Sequence, residues 1–520
     1  MKVRLPYIGL AVVCGVLFFW RLGAIPLMGL DEGLYAECSR EMLASGDYVV
    51  PTCNGGPFFD KPPIAYWLQA ASMRALGVNS LGARLPSAIE ELLLVALTVF
   101  LGAKLFSRRA GLMAGFALAS CLLAAALARM AILDAAFALA ITASLGAFAL
   151  AYLKLAPRWT YLLFWAAMGL AVMVKGPAGA VLICATLFTF LAIRRDLNAI
   201  WRTMPLAGAL VFVLVAAPWY VLVQLRTDGA FLREFIVHQN LQRALGKDFQ
   251  HNMPFYYYLP VYLVGFFPWS VFLPAALKRR DALGDGVRAT VTLLTVWICT
   301  VLVIFSIFKS KLPAYIFPVY PASALLVGLL WDRAAEAGRF NELRKCTVAA
   351  TVFACLIGVA MLITPSRLDE PIPGLTAGLV TMAVALMAGC VLGYVLLALR
   401  RPTSAFASLC CGMSAFIACA VGLGLPIAAR KNAAPAMELG RMLAKRSEPA
   451  FALRLSPPQP ELGFYSGRPV PIVNDATEIS DRKPCLLVVQ DDGRFAPPAG
   501  GVAEAKVGPY ILIRYPSARD

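Results

Sequence analysis

Two adjacent carboxylates, Asp31 and Glu32, open the stretch LDEGLYAECSREMLASGDYVVPTCNGGPFFDKPPIAYWLQAASMRALGVNSLGAR, residues 30–84, and Asp60 and Lys61 stand side by side within it. Further along, Arg129 to Asp134 sets a cation and a carboxylate between two apolar runs, and Lys175 stands alone in VKGPAG. Lys309 and Lys311 flank a serine in FKSKLPAY, which ends on Tyr315, and both histidines, His238 and His251, fall in the polar segment 226–253. Isolated lysines of this kind call for an anionic ligand, and phosphate is the usual one. A lysine ammonium offers a phosphate oxygen a full charge and three donors, and a carboxylate can cap a helix or take the proton of an incoming hydroxyl. Asp31, Asp134 and Glu32 are the acids to weigh for catalysis, a lone Asp at a helix start being more often a cap, and Lys61, Arg84, Lys175, Lys309, Lys311 and Tyr315 are the groups that could meet a phosphate.

The elements that must position them are mostly membrane spans. With 60% hydrophobic and 15% charged residues and a mean hydropathy of +0.72, the 520-residue chain is too apolar for a soluble protein. We count thirteen apolar windows of about span length, from 5–24 to 404–428, and expect an α-helical polytopic membrane protein of about thirteen transmembrane helices. The net charge of +17 does not point to nucleic acid, because basic residues cluster on alternate loops, among them Lys104 to Arg109, Arg194 to Arg202, Lys278 to Arg280, Arg333 to Lys345, and Arg400 with Arg401. By the positive-inside rule that face is cytoplasmic. The N-terminus is then inside, on an uncleaved anchor, and the C-terminus outside.

The candidate residues fall on the opposite, outer loops, where isolated lysines run against the charge rule and call for an anionic ligand. Glu90 and Glu91 lie about two turns inside the second span, where a carboxylate either faces a cavity or reaches back to the surface. In the first outer loop, 26–84, Asp31 is placed to cap an amphipathic helix with Leu34, Cys38 and Met42 on its apolar face and Gly46 as its stop. Pro62 and Pro63 suit the first turn of a second interfacial helix, with Ile64, Trp67, Leu68 and Ala71 as its stripe. A Cys38–Cys53 bridge is compatible with an oxidising outer face. After a transmembrane domain at 1–429, residues 430–520 turn mixed and polar. There CLLVVQ and YILIRY read as strands, 437–445 as a helix, and the whole as a small outer α/β domain.

The ordered blocks DEGLYAE, GDYVVP, FFDKPP with YWL, and GARLPS resemble the first loop of the bacterial members of the protein mannosyltransferase family, most of all the branch that moves aminoarabinose from undecaprenyl phosphate to lipid A. QHNMPFYYYLPV, PWS and FKSKLPAYIFPVYP are similar to that family too, and the likeness runs from about 5 to 330. It implies the C-class glycosyltransferase (GT-C) fold, an active cavity between the bilayer and the first outer loop, a polyprenyl-phosphate-sugar donor, and inversion at the sugar carbon. Asp31 and Asp134 match the family's two loop acids, Lys61 its phosphate-side lysine, and Asp60 the acid before that lysine. In the aminoarabinose branch Asp60 and His251 are candidates to hold a divalent metal, Zn or Mg/Mn. The chain departs from that branch at Leu34, where an arginine is usual, and at Phe58, where a tyrosine is. The expected enzyme is a monomer of the bacterial inner membrane, acting on lipid A or another glycan or protein acceptor, with a protein O-mannosyltransferase or a lipid-linked sugar flippase as the alternatives.

Overall fold

The computed structural model describes residues 5–235, 252–278, 284–338, 340–367, 372–453, 455, 459–482, 484–491 and 500–516. The chain forms two compact units, one of Met1–Trp20, Ser87–Arg129 and Leu133–Gly424, the other of Arg21–Pro86, Met130–Ile132 and Leu425–Asp520. The first outer loop thus folds in one unit with the C-terminal region.

The first unit is helical, and each of the thirteen apolar windows falls on a helix or a pair of helices. Among the described residues seven helices are long and apolar enough to cross a membrane, including Asp134–Tyr152, Pro205–Arg226, Asp285–Ile307 and Leu375–Ala398. The window at 256–276 is instead a broken pair, Phe255–Gly265 and Trp269–Leu277, bent by 104°. Pro268 stands in the break, where it brings no N–H to continue the helical ladder. Small residues let neighbouring helices close up: a Cβ on Gly389 would lie 2.5 Å from the Gly412 Cα of the next helix. Glu90 and Glu91 are both buried, so neither reaches back to the surface.

In the second unit the helix Leu30–Ser45 ends on Gly46, which takes the left-handed conformation at φ 72° and closes it. Its N-cap is Gly29, at φ 83°, so Asp31 lies in the first turn and does not cap. Nor is the helix amphipathic, because Glu32, Glu37, Ser39, Arg40 and Glu41 are buried along with Ala36, Cys38 and Met42. Cys38 and Cys53 are both free thiols. A short hairpin, β1 (Thr52–Cys53) and β2 (Gly56–Pro57), leads to the helix Ile64–Leu76. That helix buries Ala65, Tyr66, Gln69, Ala70 and Met73, whereas Leu68 and Ala71 of the expected stripe are exposed. An outward apolar stripe suits a helix lying in the membrane interface.

The C-terminal part is a five-stranded sheet of β3 (Ala450–Leu453), β4 (Ile472–Val473), β5 (Cys485–Gln490), β6 (Val502–Val507) and β7 (Tyr510–Tyr515), in the order β4-β3-β5-β7-β6. β4, β3 and β5 are parallel, and β5, β7 and β6 antiparallel. β5 is buried on both faces, Leu486 and Val488 on one and Leu487 and Val489 on the other, so it reads as an unbroken apolar run. The helices Ala434–Ala444 and Glu461–Ser466 cover one face through Leu439, Leu443 and Leu462. Phe464 then joins Leu27, Ala36, Met73 and Ala83 in a core that the C-terminal region and the first loop share.

Candidate active site

The DEG segment is held by its second acid. Glu32 is 1% exposed and meets the guanidinium of Arg84 two-handed, Nε to Oε1 at 2.6 Å and Nη2 to Oε2 at 2.8 Å. The backbone N–H groups of Ala131 and Met28 donate to the same carboxylate at 2.9 and 2.6 Å. Four donors saturate it, which leaves Glu32 no oxygen for an acceptor's proton and corrects the expectation that it is catalytic. Arg84, also buried, spends its other N–H groups on the carbonyls of Leu22, Ile25 and Pro26. Its donor set is used up in pinning residues 22–28, and it cannot also grip a phosphate. Asp31, one residue away, is exposed at the positive end of the helix.

Other polar groups fix the same frame. Arg40 donates to both oxygens of Glu37 at 2.7 Å and to Gly467 O at 3.1 Å, while Glu41 accepts from Gly55 N–H at 2.9 Å. Gln69 joins the two loop helices to the turn at 131, accepting from Ser39 Oγ at 3.0 Å and donating to Ala131 O at 3.0 Å. From the C-terminal region the Tyr465 hydroxyl accepts from Leu27 N–H at 2.7 Å and lies 3.1 Å from Ser80 Oγ. Sequence reading passed over these residues. The signal was present in Glu37, Arg40 and Glu41, whose i, i+3, i+4 spacing stacks opposite charges on one helix face.

Glu461 packs on Gly33 so closely that a Cβ there would come within 2.7 Å of its carboxyl carbon. Burial, helped by the nearby charge of Glu32, pushes the Glu461 carboxyl up from 4.5 to about 8, and its Oε2 finds no hydrogen-bond partner among the described residues. A carboxyl raised on folding stabilises the fold below its unfolded value, and the contribution fades as pH climbs toward the folded value. Between about pH 5 and pH 9 the protein therefore loses melting temperature, and Glu461→Gln, a fixed mimic of the neutral acid, loses less of it, the remainder falling to groups such as Glu37, which burial also raises to about 8. The two curves coincide near pH 5; parallel curves throughout would show that Glu461 does not titrate in this window.

Asp60 and Lys61 pair with each other, Lys61 Nζ standing 2.8 Å from Asp60 Oδ2. His251, with His238, lies outside the described residues. The Asp60 carboxylate already faces a cation, and no cluster of three or more His, Cys, Asp or Glu suited to a metal occurs among the described residues. Among the described residues Asp60 brings no second metal ligand with it, and no step below passes through a metal.

In the first unit Asp134, the first residue of its helix, and Lys175, the last of the helix Thr160–Lys175, meet at 2.6 Å. The ammonium lies 4.4 Å from the ring centre of Tyr315 and 5.2 Å from that of Phe137. Asp134, Lys175 and Tyr315, expected from separate turns, are thus one cluster, an ion pair roofed by two aromatic faces. Lys309 is exposed. Lys311 is not: at 2% exposure its Nζ donates to the carbonyls of Met253 and Phe308, so it ties two backbone segments together.

Comparison with known proteins supplies the context. The profile of the dolichyl-phosphate-mannose-protein mannosyltransferase family matches residues 60–221. Undecaprenyl phosphate-alpha-4-amino-4-deoxy-L-arabinose arabinosyl transferase 2 of Sodalis glossinidius is 33% identical over 379 residues, which are 71% of this chain and 67% of that protein. The corresponding transferase of Pectobacterium carotovorum is 31% identical over 82% of this chain and 76% of its own. The crystal structure of ArnT from Cupriavidus metallidurans bound to undecaprenyl phosphate matches with a TM-score of 0.87 at 24% identity, over 98% of both chains.

Proposed function

Because the chain belongs to the family of undecaprenyl phosphate-alpha-4-amino-4-deoxy-L-arabinose arabinosyl transferases and is a glycosyltransferase with their GT-C fold, we propose that it moves aminoarabinose from undecaprenyl phosphate to lipid A. The reading carries with it a bacterial inner-membrane protein with thirteen crossings, an N-terminus in the cytoplasm and a C-terminal α/β region outside.

The observation that carries the chemistry is the division of labour in the DEG segment. Glu32 is locked to Arg84, and Asp31 is left exposed on a helix whose position that lock fixes. An acceptor oxygen attacks the sugar carbon from the face opposite the phosphate, the bond to the phosphate oxygen breaks, and its electron pair leaves with undecaprenyl phosphate. A hydroxyl acceptor gives its proton to Asp31; a lipid A phosphate has none to give, and Asp31 then orients the attacking group. The departing phosphate gains charge, and Lys61 is a group suited to meet it. In the first unit Asp134 holds Lys175 in place against Tyr315.

Transfer is tested with purified full-length protein, undecaprenyl phosphate-aminoarabinose and lipid A, reading the acceptor's gain of one aminopentose by mass spectrometry. Transfer of a hexose in preference would overturn the sugar assignment, for which the departures at Leu34 and Phe58 are the residues to examine. In the same assay Lys61→Ala lowers kcat by about a hundredfold at unchanged protein level, as for one missing donor to developing charge. An unchanged kcat would leave Lys61 as a buried structural partner of Asp60.

A further inference from the structure

Within the first unit, on the face whose loops are rich in basic residues, a cavity of about 1310 Å³ opens between the end of the helix Tyr320–Glu336, the start of Asn341–Ile363 and the flank of Leu375–Ala398. None of the groups assigned to transfer lies in it. Its walls include Ala276, Leu330, Val348 and Tyr394, and its charged groups are Lys278, Arg333, Arg344 and Lys345 against Glu336 and Glu342. Glu342 is flanked by Lys278 at 3.9 Å and Lys345 at 3.8 Å, so its charge is largely offset. Arg333 and Arg344 have no ion-pair partner among the described residues.

The helix Asn341–Ile363 begins at this cavity. Its N-cap is Phe340, which provides no side-chain acceptor, so the first N–H groups of a 23-residue helix have no side-chain cap where the two arginines stand. An uncapped amino end beside guanidinium groups is an anion site, with phosphate the usual occupant. The apolar side is continuous with the membrane-facing surface. Val348 lines the cavity and is the first of an exposed row, Val348, Val352, Leu356 and Val359, along the outside of the same helix.

We propose that this cavity binds an anionic phospholipid, its phosphate held by Arg333, Arg344 and the amino end of the Asn341–Ile363 helix, with an acyl chain following the Val348–Val359 row. A soluble phosphate would use the cations but not the row. A zwitterionic lipid would use the row but cancel much of the charge attraction.

The test is native mass spectrometry and thermal unfolding of the full-length protein, stripped of lipid in neutral detergent. The probes are dioleoylphosphatidylglycerol, dioleoylphosphatidylcholine with the same chains, and glycerol 3-phosphate, the headgroup chemistry without them. Phosphatidylglycerol is retained and raises the melting temperature, phosphatidylcholine does so far less, and glycerol 3-phosphate has no effect at matched concentration. Replacing both Arg333→Gln and Arg344→Gln weakens phosphatidylglycerol binding about tenfold or more. Ala276→Phe, which fills the cavity and keeps every charge, weakens it as well, and stands in if the double variant does not fold. Equal binding of the two lipids, full competition by glycerol 3-phosphate, or phosphatidylglycerol binding unchanged in a folded variant would each overturn the proposal.

Discussion

Asp31→Asn reduces sugar transfer at least about a hundredfold, the loss of roughly 2.7 kcal/mol of transition-state stabilisation, while expression, membrane insertion and thermal stability stay close to wild type. The separation follows from the geometry. Asp31 is exposed, does not cap its helix, and lies beside an acid that does the structural work. An amide of the same size keeps the side chain's shape and gives up the favourable placement of a negative charge in the first turn, about 0.3–1 kcal/mol. Glu32 cannot take over, since all four of its contacts are occupied. The measurement is single-turnover transfer by purified protein, with circular dichroism as the control for folding. Retention of more than about a tenth of the wild-type rate would take Asp31 out of the reaction.

Arg84→Ala acts on the fold instead, at a cost of about 3–5 kcal/mol, because it strands the Glu32 carboxylate in the interior and leaves three carbonyls without their donor. Arg84 is 2% exposed and Glu32 1%, so water cannot replace the lost partner without opening the loop. Removing both partners with Arg84→Ala and Glu32→Ala recovers a large part of the loss, since the stranded charge goes too. Chemical unfolding followed through the first-loop region, or a protease-sensitivity series, reads this directly. A single variant as stable as wild type would mean that the pair contributes nothing net. Lysine at position 84 is a poor substitute, with a compact ammonium in place of a planar five-donor fork.

Helices were the most legible part of the fold. The Leu30–Ser45 helix and its Gly46 stop, the strands at 485–490 and 510–515, and helix at every apolar window all follow from local periodicity and turn chemistry. What local pattern does not carry is the partner across the chain. Arg84 looked like a phosphate ligand because a lone arginine at a span mouth has that look; its real acceptors lie near residues 22–32, more than fifty positions back. The structural contacts of Lys311 were hidden for the same reason, its acceptors being carbonyls, which every residue has and no sequence displays. The stripe Ile64, Trp67, Leu68, Ala71 was legible from its spacing, whereas the buried face of the same helix, with Tyr66, Gln69 and Met73, was not, since an apolar face in a membrane protein is as easily turned out as in. The contact among Asp134, Lys175 and Tyr315 was not legible, because each comes from a different turn.

The shared core of Leu27, Ala36, Met73 and Ala83 with Phe464 has a consequence in time. A ribosome making about 5–20 residues per second finishes the first loop some 20–80 s before it reaches the helix that completes that core. Through this interval the segment bearing Asp31 exists with its C-terminal partners unmade. The unit is thus completed last where it was translated first. A nascent chain arrested before residue 460 has an unfinished first loop, whose core closes only at the end of synthesis.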